Sequence, residues 1–349
     1  MYCPNPTSRL EIKANGDAYC CCEGWLPKSI GNVLEQDLLQ IWRGEAARQI
    51  RASIIDQSFR YCLACPYLPG PGGPVVDEIP ASMPPEGRIG LLKLDYDQSC
   101  NLTCPSCRVT HSRNFVDVPL VTRIHKAVIG SGVLDHVDRL YVTGAGDPFA
   151  SPLYWKFLTE LPAIPRNPRL EIFLHTNGIL FDAKHWEELG PRNQARVTEV
   201  GISVDAATQR TYKENRQASW NKLWDNVDFI NHLQASGKKL MLGMFFTVQQ
   251  NNFREIIPFT RLAFGHRTSW ISITALRNWG TYTTEEYERR AVHLPHHPDH
   301  AEFKQIIESD VLTKDRRIIL DRFNPAFIHQ DVICNPQALL PESKLRRLP

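Results

Sequence analysis

Three cysteines at close spacing carry the strongest chemical signal in the sequence. Cys100, Cys104 and Cys107 form the pattern C-x3-C-x2-C within CNLTCPSC. A loop with this spacing can wrap three thiolates around one face of an iron-sulfur cube and leave one iron without a protein ligand. A structural zinc site is the alternative, because three thiolates need only one more ligand and His111 follows closely. The spacing, directly after a predicted strand, favours the iron-sulfur cluster, whose open iron is then a binding site.

A second group of thiols lies near the N-terminus, at positions 3, 20, 21, 22, 62 and 65. Four of these cysteines could hold a second iron-sulfur cluster, and a four-thiolate zinc site is the alternative. The spacing, which ends in the C-x2-C pair of Cys62 and Cys65, favours the cluster. Neighbouring residues of a strand point to opposite faces, so Cys21 cannot share its direction with both Cys20 and Cys22. The sequence leaves open which of these three is a ligand.

The elements that must position the first cysteine loop follow from hydrophobic patterning after residue 88. Short apolar runs alternate with longer amphipathic stretches, which predicts βα units and a buried parallel sheet. The predicted strands are Ile89–Asp95, Arg139–Thr143, Leu170–His175, Glu199–Ser203, Leu240–Val248 and Trp270–Ala275. Active groups of such folds lie at the carboxyl ends of the strands. Six units are too few to close an eight-stranded barrel, so the predicted fold class is α/β with a partial (β/α)6 barrel.

The N-terminal region has a different pattern of strand, turn and helix signals, which predicts a small α+β domain. Asn15-Gly16 tolerates the positive φ of a tight turn and predicts a hairpin between two short strands. An apolar stripe at helical spacing predicts one helix over Leu38–Asp56. Prolines and glycines then dominate as far as Gly87, which predicts a linker. The expected organisation is a cluster domain over 1–70, a linker over 71–87, a barrel over 88–290 and a C-terminal extension over 291–349.

The cysteine loop after the first barrel strand resembles the signature of the radical S-adenosylmethionine (SAM) superfamily, over about residues 88–290. The resemblance implies a partial (β/α)6 barrel and a catalytic [4Fe-4S] cluster on Cys100, Cys104 and Cys107. In that family the open iron chelates SAM, and an electron from the cluster cleaves it to methionine and a 5′-deoxyadenosyl radical, which abstracts hydrogen from the substrate. One departure is Ser106, where many members carry an aromatic residue.

The same resemblance implies a SAM site at the ends of the later strands. The segment 143–147 stands where the family has a Gly-Gly-Glu-Pro-like turn for the SAM amino group, with Asp147 in place of the glutamate. Ser203 is implied to bond the ribose, Arg216 to pair with the SAM carboxylate, and Val248 to lie against adenine. The implied SAM-binding residues are Thr143, Gly144, Ala145, Gly146, Asp147, Asn177, Ser203, Asp205, Arg216 and Val248.

The N-terminal thiols resemble the SPASM or "twitch" domain, which carries auxiliary iron-sulfur clusters. The similarity lies in Gly16 followed after four residues by Cys21, then IGNVLEQDLLQIW and the terminal Cys62 and Cys65. It implies a second [4Fe-4S] cluster held by Cys3, Cys21, Cys62 and Cys65. The resembled domain normally follows the barrel, whereas here it precedes it.

Composition limits the partners and the compartment. The chain has 349 residues, 40 basic against 38 acidic, so no global positive field attracts nucleic acid. No apolar segment is long enough to span a membrane and the N-terminus lacks a signal peptide's apolar stretch, so a cytoplasmic protein without membrane partners is expected. A reducing compartment in turn favours metal-binding thiols over disulfides.

The preferred function is a radical SAM enzyme acting on a peptide or a small, carbohydrate-like molecule, with an electron donor of flavodoxin or ferredoxin type. Peptide-modifying and dehydrogenase-like activities both fit the sequence. The rival class is a non-catalytic iron-sulfur or zinc protein that serves as a scaffold or redox sensor.

Overall fold

The computed structural model describes residues 3, 5–62, 88–108, 117–143, 145–164 and 166–320. Predictions that concern Cys65, Gly144 or the linker at 71–87 lie outside the described residues. The described residues form two compact units. The first unit takes those within 1–99, 115–175 and 187–198, and the second takes those within 100–114, 176–186 and 199–349.

Strands and helices alternate through most of the described residues. The strands are β1 (Arg9–Lys13), β2 (Asp17–Tyr19), β3 (Gly31–Asn32), β4 (Ile89–Asp95), β5 (Val137–Val142), β6 (Glu171–Thr176), β7 (Val197–Ser203), β8 (Met241–Val248), β9 (Trp270–Ala275) and β10 (Ile318–Leu320). The helices are α1 (Asn5–Ser8), α2 (Leu38–Arg43), α3 (Glu45–Ile55), α4 (Val118–Gly130), α5 (Pro152–Glu160), α6 (Ala183–Glu188), α7 (Gly190–Arg196), α8 (Gln209–Arg216), α9 (Trp220–Ala235), α10 (Ile256–Gly265), α11 (Thr284–Arg290), α12 (His300–Ile307) and α13 (Asp310–Thr313).

The first unit contains β1 to β6, and in it the N-terminal strands join the barrel strands. β1 pairs antiparallel with β2, and β2 with β3. The other edge of β1 pairs in parallel with β4, which continues in parallel to β5 and β6. Gly16 has φ +88° at the turn between β1 and β2 and donates its N–H to Lys13 O at 2.9 Å. The predicted hairpin is therefore confirmed.

The second unit is built on parallel pairing. β7 pairs with β8, β8 with β9, and β9 with β10. All six barrel strands expected from the sequence are present, with ends that differ by at most two residues. The α/β fold class is confirmed, and the mostly parallel sheet is compatible with a partial barrel.

The single helix expected over Leu38–Asp56 is wrong, because the chain breaks at Gly44 into α2 and α3. Gly44 is extended (φ −70°, ψ 169°) and donates its N–H to Ile41 O, which ends α2. A Cβ at this position would lie 3.1 Å from the carbonyl oxygens of both Gln40 and Ile41, so glycine suits the tight turn between the helices. The apolar stripe continued through the break, which is why periodicity alone did not reveal it.

One face of the first unit's sheet forms its core. Alternate residues of β1, β4, β5 and β6 are apolar and fully buried on this face: Leu10, Ile12, Leu92, Leu94, Leu140, Val142, Ile172 and Leu174. The alternation of side chains along each strand sends the intervening residues to the opposite face.

Candidate functional site

The cysteine loop follows directly from β4 and opens the second unit. Cys100 and Cys104 are buried, whereas Cys107 is exposed. The N–H groups of Cys107 and Arg108 both donate to Cys104 O, at 2.9 and 3.1 Å. This helical turn places Cys104 and Cys107 three residues apart on one side of the chain, as two ligands of one cluster require.

Each thiol of the loop has a polar contact within the second unit. Asn177 Nδ2 donates to Cys100 Sγ at 3.8 Å, and Arg108 donates to Cys107 Sγ at 3.3 Å. The Cys104 thiol donates to the backbone oxygen of Arg216 at 3.8 Å. Burial lowers the pKa of Arg108, but the charges of all three thiolates outweigh it and raise that pKa. The three sulfurs therefore share one guanidinium as a neighbour.

No three His, Cys, Asp or Glu side chains in the described ranges are arranged to enclose a single metal ion. Three thiolates are the donor set of a [4Fe-4S] cluster with one open iron, so the residues present fit such a cluster.

Asp205 and Arg216 form a buried ion pair beside the cysteine loop. Arg216 Nη1 lies 3.1 Å from Asp205 Oδ2, and the exposed fractions of the two side chains are 14% and 5%. The backbone N–H of Thr247 donates to Asp205 Oδ1 at 2.6 Å. Burial lowers the pKa of Arg216, but the charges of Cys104 and Asp205 more than restore it. Arg216 is thus held as a cation close to the thiols.

Some buried polar atoms of the second unit lack a hydrogen-bond partner within the described part of the chain. They include Arg216 Nε, the Tyr212 hydroxyl and the Tyr282 hydroxyl. Tyr212 lies one helical turn before Arg216 on α8, and the Arg290 guanidinium lies 4.8 Å from the centre of the Tyr282 ring. Unsatisfied buried donors are costly in a folded protein, and a charged ligand that accepts hydrogen bonds would satisfy them. The residues present therefore fit an anionic cluster and a carboxylate-bearing cofactor.

The segment expected to hold the SAM amino group lies in the first unit. The Thr143 hydroxyl accepts from the N–H groups of Ala145 and Gly146, at 3.2 and 2.8 Å. Asp147 is fully buried, and its carboxylate accepts from the N–H of Phe149. The Asp147 N–H donates to Ser99 O at 2.8 Å. Asp147 thus stabilises this turn and ties it to the residue that precedes Cys100.

The remaining predicted SAM residues differ in their surroundings. Asn177 is buried and bonds both Cys100 and, at 2.8 Å, the side-chain oxygen of Asn101. Ser203 is half-buried at the end of β7. Val248 is fully buried at the end of β8, so it packs in the protein interior in this structure. Asn177, Asp205 and Arg216 are therefore the predicted residues that the structure brings against the cysteine loop.

The N-terminal thiols lie in the first unit, with Cys3 and Cys62 half-buried. Glu11 pairs with Tyr19 and Ile12 with Ala18 across β1 and β2. This antiparallel register, extended by two residues, sets Leu10 opposite Cys20 and Arg9 opposite Cys21.

Cys20 and Cys21 have different surroundings, as that register requires. Cys20 is fully buried, and burial raises its pKa to about 12 against the opposing charge of Arg51. Burial lowers the pKa of Arg9, but Glu11 and then Cys21 and Cys22 raise it. Burial also raises the pKa of Cys21, against the opposing charge of Arg9. Cys20 thus lies on the apolar face of the sheet, and Cys21 on the face of Arg9.

The opposite face of the first unit's sheet carries a charged network that the sequence interpretation missed. Lys13 Nζ lies 2.8 Å from Asp95 Oδ2 and 3.1 Å from Glu11 Oε2, and Lys93 Nζ lies 3.2 Å from Asp95. Further along this face, the Tyr141 hydroxyl and His175 Nδ1 are 2.7 Å apart.

Parallel sheets usually have two apolar faces, so a face with this many charged side chains departs from the usual pattern. The available signal was the alternation of charged and apolar residues in RLEIK and LLKLD.

Family models match the two regions of the chain that carry the thiol groups. The sequence model described as the radical SAM superfamily matches residues 98–257, and the SPASM model, an iron-sulfur cluster-binding domain, matches residues 3–66. The chain contains a radical SAM domain with a SPASM domain before it. This order of the two matched regions is the one expected from the sequence. The cofactors of the family are a [4Fe-4S] cluster and SAM, and a SPASM domain adds auxiliary iron-sulfur clusters.

Solved structures similar to this radical SAM chain include Streptococcus suis SuiB bound to precursor peptide SuiA (11% identity, 82% of this chain and 65% of that chain, TM-score 0.45). Others are anSMEcpe with bound AdoMet (19% identity, 54% and 51%, TM-score 0.39) and TYW1 with a lysine-pyruvate adduct bound (16% identity, 63% and 71%, TM-score 0.36). The chain spans about half to two thirds of the length of the SuiB chains that it matches. No curated protein is a significant match. Within the described ranges, every helix is too short or too polar to cross a membrane.

Proposed function

We propose that this chain is an enzyme that cleaves SAM reductively and uses the resulting radical on a peptide or a small, carbohydrate-like molecule. When bound, the reduced [4Fe-4S] cluster supplies the electron that splits SAM into methionine and a 5′-deoxyadenosyl radical, which abstracts hydrogen from the substrate. The observation that carries the proposal is the loop of Cys100, Cys104 and Cys107, whose thiols contact the side chain of Asn177, the backbone oxygen of Arg216 and the side chain of Arg108, at the start of the matched radical SAM region.

The proposed roles of the loop follow from the donor set. Cys100, Cys104 and Cys107 hold the catalytic cluster through three irons and leave the fourth open. Asn177, which donates to Cys100 Sγ, orients that thiolate and stabilises its charge. Arg108 offsets part of the negative charge of the three thiolates.

The proposed SAM site uses the polar atoms that remain without partners. Arg216 binds the SAM carboxylate through Nε, because Nη1 is already engaged by Asp205. Asp205 fixes the guanidinium in the required orientation. Ser203 and Val248 are proposed to contact the ribose and adenine, and the backbone over 143–147 the amino group; the burial of Val248 means that adenine contact requires a small movement at the end of β8.

The proposed auxiliary site consists of Cys3, Cys21, Cys62 and Cys65, within the cluster domain proposed for residues 1–70. The register of β1 and β2 supports Cys21, because it sets Cys21 opposite Arg9 on the charged face of the sheet, whereas Cys20 lies opposite Leu10 among apolar core residues. Burial raises the pKa of both thiols, so the support for Cys21 is its place on that face. The 71–87 linker, the 88–290 barrel and the 291–349 extension stay part of the proposal.

The substrate class is proposed from the charged face of the first unit. Lys93, Asp95, Tyr141 and His175 present donors and acceptors on one sheet face, which supports a polar substrate. The near-neutral charge of the chain supports a peptide or carbohydrate-like molecule over a nucleic acid. A flavodoxin or ferredoxin type protein is the proposed electron donor, and a cytoplasmic location is part of the same proposal.

Anaerobic reconstitution tests the catalytic site. The unaltered protein should bind iron and, with dithionite and SAM, form 5′-deoxyadenosine. Cys100→Ala, Cys104→Ala and Cys107→Ala should each abolish that product, while Ser106→Ala in the same loop should retain it. Product formation in all three cysteine variants would rule out this site. A colourless protein that carries only zinc would favour the scaffold class instead.

Iron counting on neighbouring cysteines tests the auxiliary site. Cys62→Ala and Cys21→Ala should each lose about half of the bound iron, for two four-iron clusters of equal size. Cys20→Ala is the matched control and should keep all of it. If Cys20→Ala loses the iron and Cys21→Ala does not, the proposed ligand set is wrong.

A further inference from the structure

The first unit contains a cavity of about 550 Å³ at the amino-terminal ends of β6 and β7. Its polar wall residues are Arg169, Glu171, Arg192, Arg196 and Thr198. A volume of this size is typical of small-molecule sites. Active groups of βα folds stand at the carboxyl ends of the strands. The cavity therefore lies at the opposite end of β6 and β7 from the end where such groups are expected.

Two of the wall arginines lie on α7 and each uses one nitrogen to bind the residues that follow α5. Arg192 Nη2 donates to Leu161 O at 3.2 Å, and Arg196 Nη1 donates to Pro162 O at 3.0 Å. The two arginines are four residues apart, so their side chains share one side of the helix. A guanidinium carries five N–H donors. Each arginine therefore keeps most of its donors for a further partner.

The positive charge of the cavity wall is not neutralised within the described part of the chain. Arg169, Arg192 and Arg196 form no ion pair with a carboxylate of those residues. The wall carboxylate, Glu171, already pairs with Arg139, with Oε2 and Nη2 3.0 Å apart. Arg196 is only 8% exposed, burial lowers its pKa, and the charge of Arg192 lowers that pKa further. Arg196 is thus a buried cation beside a second cation, and a bound anion would stabilise this arrangement.

We propose that this cavity binds the phosphate group of a small molecule, through the buried Arg196 and the exposed Arg169 and Arg192. A phosphate group carries about −1.5 to −2 charge at neutral pH and three acceptor oxygens. Planar guanidinium groups bind such oxygens in pairs, and three of them suit a dianion better than the single charge of a carboxylate. The inference goes beyond the proposed radical chemistry and does not depend on it, because the cavity wall contains no residue of the cysteine loop or of the proposed SAM site.

The test is isothermal titration calorimetry of the full chain with inorganic phosphate, at constant ionic strength because salt screens exposed charges. The unaltered protein should bind phosphate, and acetate should bind about tenfold more weakly because it offers less charge and fewer acceptors. Arg192→Gln and Arg196→Gln should each lower the affinity for phosphate about tenfold or more. Arg192 is exposed, so its substitution should leave the fold intact even if that of the buried Arg196 does not.

Arg123→Gln is the matched control in the same unit. Arg123 is an exposed arginine of α4 that does not line the cavity, so the substitution makes the same change of charge and should leave phosphate binding unchanged. The inference is overturned if the unaltered protein binds no phosphate, or if Arg123→Gln weakens binding as much as Arg192→Gln does. Acetate binding as tight as phosphate binding would also overturn it, because the cavity would then not distinguish a phosphate group from a carboxylate.

Discussion

Arg216 donates to Asp205 at 3.1 Å, and the two side chains are 14% and 5% exposed. Arg216→Met should leave the Asp205 carboxylate without a cation and cost about 3–5 kcal/mol of unfolding free energy. Chemical denaturation measures the loss. Asp205→Asn combined with Arg216→Met should recover part of it, because the double variant buries no unpaired charge. If Arg216→Met alone were as stable as the parent, the pair would not be buried in solution.

The contact of Gly146 with the segment before Cys100 leads to a second prediction. A Cβ on Gly146 would lie 2.5 Å from Ser99 O and 2.8 Å from Asp97 O, both backbone atoms that cannot move away cheaply. Gly146→Ala should therefore lower stability by about 1–3 kcal/mol, as overpacking does, and weaken SAM binding. Gly130→Ala is the control, since a Cβ there meets nothing within 4 Å. Equal thermal midpoints for the two variants would contradict the close approach.

Acid should weaken the charged network of the first unit. Burial opposes ionisation of Asp95, but the ammonium groups of Lys93 and Lys13 outweigh it and hold the pKa of Asp95 well below its usual range. A carboxyl with a lowered folded pKa stabilises the fold above its unfolded pKa of about 3.9, and that contribution is lost as the pH falls below this value. Unfolding free energies of the parent and Asp95→Asn should differ most above pH 5 and converge below about pH 4. A gap that stays constant with pH would contradict this prediction.

His293 should produce a pH dependence in a different window. Burial, with His300, Arg277 and His297, lowers the pKa of His293 to about 4. In the unfolded chain His293 binds a proton near pH 6.5, whereas in the folded chain it does so only near pH 4. The free energy of unfolding therefore falls as the pH drops through this range, by up to about 3 kcal/mol. His293→Gln should flatten that slope in denaturation curves collected between pH 7 and pH 4. An unchanged slope would show that His293 titrates normally.

The barrel could be predicted from the sequence because each of its strands has a clear apolar run. Ile89–Asp95 and Trp270–Ala275 were predicted at their observed bounds. Two kinds of feature escaped prediction. The break at Gly44 depends on two carbonyl groups that a Cβ would crowd. The pairing of β1 with β4 joins residues 82 positions apart, as in Lys13 and Asp95, and no local pattern encodes it.

The candidate site likewise contains residues that the sequence predicts and residues that it does not. Cysteine spacing predicts Cys100, Cys104 and Cys107 as ligands of one cluster, because a metal cluster imposes its geometry on a short stretch of chain. Tyr212 and Tyr282 carried no such signal, since an aromatic residue in a barrel normally belongs to the core. Only the absence of a partner for each hydroxyl within the described residues distinguishes them.

The parallel pairing of β1 with β4 makes the order of synthesis matter. The cluster domain leaves the ribosome first, yet one long edge of its leading strand gains a partner only after residue 95 has emerged. Until then β1 exposes unpaired amide and carbonyl groups, and a chain shortened to begin at residue 88 would expose the matching edge of β4 for good. Separate production of the two domains should therefore yield proteins that self-associate along these edges, while the continuous chain conceals both.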